Sequence, residues 1–251
     1  MSKYLGDVVW PTILLIAIVV PVLMTYMPYI STGSHYDISS SITETLNNAI
    51  SNPVSLISTY LLGDLAPYLY LVIIAMIVIR RGKIRGLGRE LGFSWKPLLG
   101  AMTIPLVIAL AVAWFLISGL LPLIVLPQIS LMNILLLVYT LFPIAISEEI
   151  VFRGFMLNRL LPKQGDATLL NSVPAIVISA VYFMIAHVPV YLAVYGLNDL
   201  LSVVTILAYI LLYGIISGFI FVLTRNVIPD IVVHWINDYI SIMFILCIGV
   251  R

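Results

Sequence analysis

Glu148, Glu149 and Arg153 lie together in SEEIVFRG (147–154), inside a run that is otherwise apolar, with LMNILLLVYTLFPIAI before it and FML after it. Two of the three histidines are also set in apolar runs. They are His187 in YFMIAH and His234 in HWINDYI, the latter followed by Asn237 and Asp238, whereas His35 lies in a polar stretch. These are the residue types of proton transfer and oxyanion stabilisation. A carboxylate can take a proton from water, an imidazole can take or give one, and an N–H donor can stabilise the oxygen that becomes negative. At bilayer depth such groups cost several kcal/mol unless paired or hydrated, so their presence there is a functional signal.

Helical spacing sorts them. Glu149 and Arg153 are four apart and share a face, so they can form an ion pair that neutralises both. Glu148 points about 100° around the helix from Glu149. It has no partner within its own helix, which makes it the candidate base. His234 has Asp238 four residues on and Asn237 three residues on, and either can orient the imidazole. Phe183 and His187 are also four apart, and a phenylalanine in that place reads as packing at the edge of a pocket. A serine triad does not emerge, because Ser147 would sit on another face and Ser179 has no base four residues away. One Glu and two His could make a three-ligand zinc site. No HExxH is present, so the preferred reading has no metal, with zinc as the alternative.

The elements that must position these residues are membrane helices. Of the 251 residues 62% are hydrophobic and 9% charged, against roughly 25% charged in soluble domains. Twelve Lys and Arg against eleven Asp and Glu leave a net charge of +1, which gives no reason to expect a nucleic-acid partner. The lone Cys247 excludes an internal disulfide and a CxxC metal site.

Runs of about 20 apolar residues are needed to cross a hydrocarbon core. Seven segments qualify, at 8–29, 54–79, 98–126, 131–157, 173–195, 201–223 and 231–249. An eighth span follows if the third, with Pro105 and Pro122, is split. The expected fold is all-α, a polytopic helical bundle forming one integral-membrane domain over 1–251, with its motif-bearing core at about 131–249. The first span, lacking an A-x-A cleavage signal, reads as a retained helix.

The basic loop 80–97 contains Arg80, Arg81, Lys83, Arg85, Arg89 and Lys96, which the positive-inside rule assigns to the cytoplasm. Alternation then puts 30–53 and 196–200 outside, and 158–172 and Arg225 inside. On that topology Glu148, His187 and His234 lie at depths of about 20, 20 and 13 Å from the cytoplasmic boundary at 1.5 Å per residue. Those depths are consistent with one pocket that opens to the cytoplasm.

The three motifs EExxxR (Glu148 to Arg153), FxxxH (Phe183 to His187) and HxxxN/D (His234 to Asp238), in that order on separate spans, resemble the CAAX-protease and bacteriocin-processing family of intramembrane proteases. That family includes the type II CAAX prenyl endopeptidase, which removes the last three residues of prenylated proteins. The resemblance covers about 90 residues and says nothing of the N-terminal 130. It implies that Glu148 and His187 activate water for attack on a peptide carbonyl and that His234 with Asp238 stabilises the oxyanion. Glu149 and Arg153 would support the first group. It further implies metal-independent chemistry in a lipid bilayer on the C-terminus of a prenylated or otherwise membrane-anchored protein.

The prenyl-protease branch more often has Asn at the position of Asp238. An ionised Asp cannot donate to an oxyanion, so either Asp238 orients a cationic His234 or Asn237 donates in its place. Two other classes use the same residue types. One is a proton-coupled transporter with Glu148, His187 and His234 as a relay. The other is a non-catalytic scaffold or immunity factor of the same family.

Overall fold

The computed structural model describes residues 7–62, 66–79, 82, 84–94, 131–162 and 168–249. All regular structure among them is helical. The expected third span, 98–126, lies outside the described residues. The chain divides into two compact units. One comprises Met1–Ile38, Glu90–Gly92 and Phe152–Arg225, and the other Ser39–Arg89, Phe93–Val151 and Asn226–Arg251.

In the first unit, α1 (Val9–Thr32) and the hairpin of α9 (Leu169–Tyr195) and α10 (Leu200–Thr224) pack side by side. All three are long and apolar enough to cross a membrane. Ile13, Ile16, Val20, Met24 and Met27 of α1 are exposed, as suits a helix bathed in hydrocarbon. Where the surroundings are as apolar as the side chains, helices associate through close packing instead of hydrophobic burial.

The α9–α10 seam shows how that closeness is achieved. Gly214 and Gly218 stand one turn apart on α10, and a methyl group at either would lie 3.1 Å from Ala180 Cα or 2.8 Å from Ile176 Cγ2. Thr168 caps α9 by accepting from the Asn171 N–H at 3.2 Å, and Asp199 caps α10 by accepting from the Ser202 N–H at 3.2 Å. The Ser202 hydroxyl and N–H together hold the exposed Asp199 carboxyl below its ordinary range. α9 carries Pro174 and Pro189 without ending at either. Pro174 sits near the N-terminus, and the N–H it lacks would have met a carbonyl of the first turn.

The second unit contains α2 (Ile38–Ser51), α3 (Pro53–Leu62), α4 (Ala66–Ile79) and α11 (Ile228–Gly249), together with α6 (Leu131–Tyr139). α6 continues through a π-helical stretch, Thr140–Ile146, into the single α-turn α7 (Ser147–Glu149). A second π-helical stretch, Ile150–Leu157, and the short α8 (Asn158–Leu160) complete a run of which Ile134–Leu160 is long enough to span. The four-residue α5 (Leu87–Glu90) lies in the basic loop.

Within the expected span 54–79 the structure describes α3, to Leu62, and α4, from Ala66, and residues 63–65 lie outside the described residues. The stretch 30–53, expected as a polar loop, contains α2. Its few apolar residues, Ile42, Leu46 and Ala49, recur at helical spacing, and Leu46 is buried with Leu136 and Tyr139, flanked by Ile144, Tyr239 and Ile242. Four described helices reach spanning length with the required hydropathy. The expected last span, 231–249, corresponds to α11.

The glycine that ends SEEIVFRG has a packing reason. A methyl group on Gly154 would lie 2.5 Å from the Leu91 carbonyl oxygen, within the first unit. That oxygen belongs to backbone, so it cannot swing aside as a side chain could. Gly154→Ala is therefore expected to destabilise the protein by about 1–3 kcal/mol, read as a lowered unfolding temperature in detergent. An unchanged value would mean that the Leu91 segment yields freely.

Candidate active site

The carboxylate pair is held in a helix with unusual turns on both sides. Pro143 lies inside the first π-helical stretch, and a proline in a helix leaves a carbonyl on the preceding turn without its N–H. Side chains supply donors to carbonyls nearby. Thr140 Oγ1 donates to Leu136 O at 3.0 Å or Leu137 O at 3.1 Å, Trp235 Nε1 of α11 donates to Leu137 O at 2.9 Å, and Ser147 Oγ donates to Phe142 O at 3.2 Å. Ser147 thus spends its hydroxyl on the backbone. π-helical turns of this kind are often found at functional sites.

Within the second unit, α7 and α11 bring four candidates together on one imidazole. His234 Nδ1 lies 2.7 Å from Glu149 Oε1. On the other edge of the ring, Nε2 lies 3.2 Å from Asp238 Oδ2 and 3.7 Å from Glu148 Oε2. Asn237 Nδ2 donates to Asp238 Oδ1 at 3.4 Å. The ring and both glutamates are buried, Glu149 at 0% and Glu148 at 7% exposure.

Both ring nitrogens therefore face carboxylate oxygens. An imidazolium has an N–H for each edge, whereas a neutral ring has only one to give. Of the two residues expected beside His234, Asp238 lies against its Nε2, and Asn237 donates to Asp238. The angular separation of Glu148 from Glu149 does not keep their carboxylates apart, because both side chains are long enough to approach the same ring from α7. Spacing along one helix pointed from Glu149 to Arg153. The structure gives Glu149 a partner on another helix that such spacing could not reveal.

The first unit holds the remaining candidates. Arg153, 1% exposed, lays its guanidinium carbon 4.3 Å from the centroid of Phe183 and 5.8 Å from that of Tyr213. Phe183 is buried and meets Phe152 edge to face at 5.0 Å. Such pairs of buried rings are worth about 0.5–1.5 kcal/mol beyond their area, so Phe183 adds to the packing here.

His187 Nδ1 donates to the Phe183 carbonyl at 2.8 Å, so the neutral ring carries its lone pair on Nε2. Its ring lies 4.6 Å from Phe183 and 6.4 Å from Tyr191. Ser179 donates to Phe152 O at 3.2 Å. His35, the histidine left outside the set, contacts Val194 O at 3.0 Å. Tyr213 and Trp235 were not foreseen, because an aromatic residue in a lipid-soluble helix carries no mark of what it touches.

No group of three or more His, Cys, Asp or Glu is arranged to hold a metal ion among the described residues. Three carboxylates face His234, Glu149 at one edge of the ring and Asp238 and Glu148 at the other.

Residues 130–240 match a family model described as Rce1-like, type II CAAX prenyl endopeptidase Rce1-like. The match covers 111 of the 251 residues, as a similarity over part of the chain. The matched segment contains all three motifs, from Glu148 to Asp238, which agrees with the resemblance carried by their order. No curated protein and no solved structure matches the chain. The matched family is described as an endopeptidase family, and four of the described helices are long and apolar enough to cross a membrane.

Proposed function

We propose that the protein is an intramembrane endopeptidase of the CAAX type, using a glutamate-activated water to cut near the C-terminus of a membrane-anchored protein. The observation that carries the reading is the clamp on His234, whose two ring nitrogens face Glu149 and Asp238 while Glu148 stands beside Nε2. In this reading Glu148 is the base. It takes a proton from water as the oxygen attacks the scissile carbonyl, and His187, with its lone pair on Nε2, shares the task of orienting that water. His234 supplies an N–H to the oxygen of the tetrahedral intermediate, and the proton on Glu148 then passes to the departing amine.

Glu149 and Asp238 act through His234, fixing its ring. Arg153, buried on aromatic rings, supports the helix that carries the glutamates. The basic residues of 80–97 support a site that opens to the cytoplasm, where the C-termini of lipid-modified proteins are presented. Lipid-modified CAAX peptides are accordingly the first substrate class, and the chemistry proceeds with no metal.

The test uses purified protein in detergent, where no gradient exists for a transporter to use. A farnesylated CAAX peptide and its unmodified form are incubated with and without chelator, and products are read by mass spectrometry. The expected result is release of the last three residues from the farnesylated peptide in both conditions. His187→Ala and His234→Ala should each abolish it, and His35→Ala should not. Folded wild-type protein that cuts neither peptide would retire the proposal in favour of a scaffold or transporter. Loss on chelation would replace the water-activating glutamate by zinc, and equal loss in all three variants would point to misfolding.

A further inference from the structure

The first unit contains an aromatic side chain, outside all three motifs, that closes a stack leading to His187. Tyr213 lies on α10, its ring 6.1 Å from that of Phe183 at 40° and 5.8 Å from the Arg153 guanidinium. Phe183 in turn touches three things the site depends on. Its face takes Arg153 at 4.3 Å, its ring lies 4.6 Å from the imidazole of His187, and its carbonyl accepts the His187 Nδ1–H at 2.8 Å.

A desolvated guanidinium gains from every aromatic face it meets. Tyr213 provides the second such face, and its bulk flanks the Phe183 ring. It sits one residue before Gly214, where α10 comes closest to Ala180 of α9, so the helix has little room to move the ring away. We propose that Tyr213 is a positioning residue for His187, holding Phe183 and Arg153 in a stack that fixes the orientation of the imidazole.

The proposal rests on the protease reading for its kinetic consequence but not for its structural one. Removing the ring takes one aromatic neighbour from Phe183 and one from Arg153. Both relax, and the His187 ring, in contact with Phe183, loses its fixed tilt. Because the effect is on alignment of a reacting group, it falls on kcat and leaves KM alone. The useful part of Tyr213 is its ring, so Phe should replace it, whereas Met fills similar space without a π face.

Full-length protein in detergent, with histidine ring nitrogens labelled, is compared as wild type, Tyr213→Phe, Tyr213→Met and Tyr213→Leu. The His187 signals are assigned by their loss in His187→Ala. Tyr213→Phe should keep kcat within about twofold. Tyr213→Met and Tyr213→Leu should lower it about 10- to 100-fold at unchanged KM, the scale expected when a reacting group is misplaced, and should shift the His187 ring signals.

Unshifted His187 signals in both variants overturn the proposal, including when cleavage falls only in step with the amount of folded protein. Equal damage from Phe and Met overturns it too, since the hydroxyl would then be the part that matters. If wild-type protein cuts no peptide, the protease reading fails while the His187 signals still decide the role of Tyr213.

Discussion

Glu148→Gln should lower peptide cleavage by about 10²- to 10⁴-fold, the range over which a positioned general base contributes, while leaving the folded protein nearly as stable as wild type. The amide keeps the shape of the side chain but has no proton affinity to offer. Glutamine fills the same space, and the contact it alters at His234 Nε2 is 3.7 Å from Glu148 Oε2, beyond hydrogen-bond length. Of the two adjacent glutamates it is also the one that keeps some exposure, 7% against 0% for Glu149. Rates of product release measured by mass spectrometry decide the matter, and unimpaired cleavage by the glutamine variant would remove Glu148 from the base role.

Glu149 should behave in the opposite way. Its Oε1 lies 2.7 Å from His234 Nδ1 with the residue fully buried. Glu149→Leu leaves that nitrogen without its acceptor in a dry place, and breaking a buried pair in this way costs about 3–5 kcal/mol. For a chain of this length the unfolding temperature should fall on the order of 10 °C, and cleavage should fall with it as His234 loses its fixed tautomer. Glu149→Gln, whose carbonyl can still accept from Nδ1–H, should recover most of the stability. Thermal unfolding in detergent separates these outcomes, and a leucine variant as stable as wild type would show that the contact contributes little.

The contrast between the two glutamates shows where the sequence could be read and where it could not. Residue type and depth were enough to select Glu148, Glu149, His187, His234 and Asp238, since charged and imidazole side chains are rare in lipid and few positions competed. Spacing within one helix was enough for His234 with Asp238, which the structure places 3.2 Å apart. It was silent on Glu149 with His234, which are separated by 85 positions and meet only because α7 and α11 pack together.

Uninterrupted apolar runs were legible as helices from Val9, Leu169 and Leu200 because hydropathy fixes a span to within a few residues. Helix α2 was not, because its packing rests on a few apolar side chains among serines and asparagines. Tyr213 and Trp235 were invisible for a related reason. In a chain rich in aromatics, a ring that stacks on a cation looks the same as one that faces lipid.

The wide turns on either side of Ser147–Glu149 bear on how firmly the carboxylates are aimed. In an ordinary α-helix rigidity comes from a backbone ladder that repeats at every residue and depends little on sequence. Around this pair some of the restraint has passed to the Thr140 hydroxyl, the Ser147 hydroxyl and the Trp235 indole, each gripping a main-chain oxygen. The segment is therefore a joint whose stiffness is written in three side chains. One of them, Trp235, is the immediate neighbour of His234, so the same short piece of α11 both receives the aim of Glu149 and steadies the helix from which it comes.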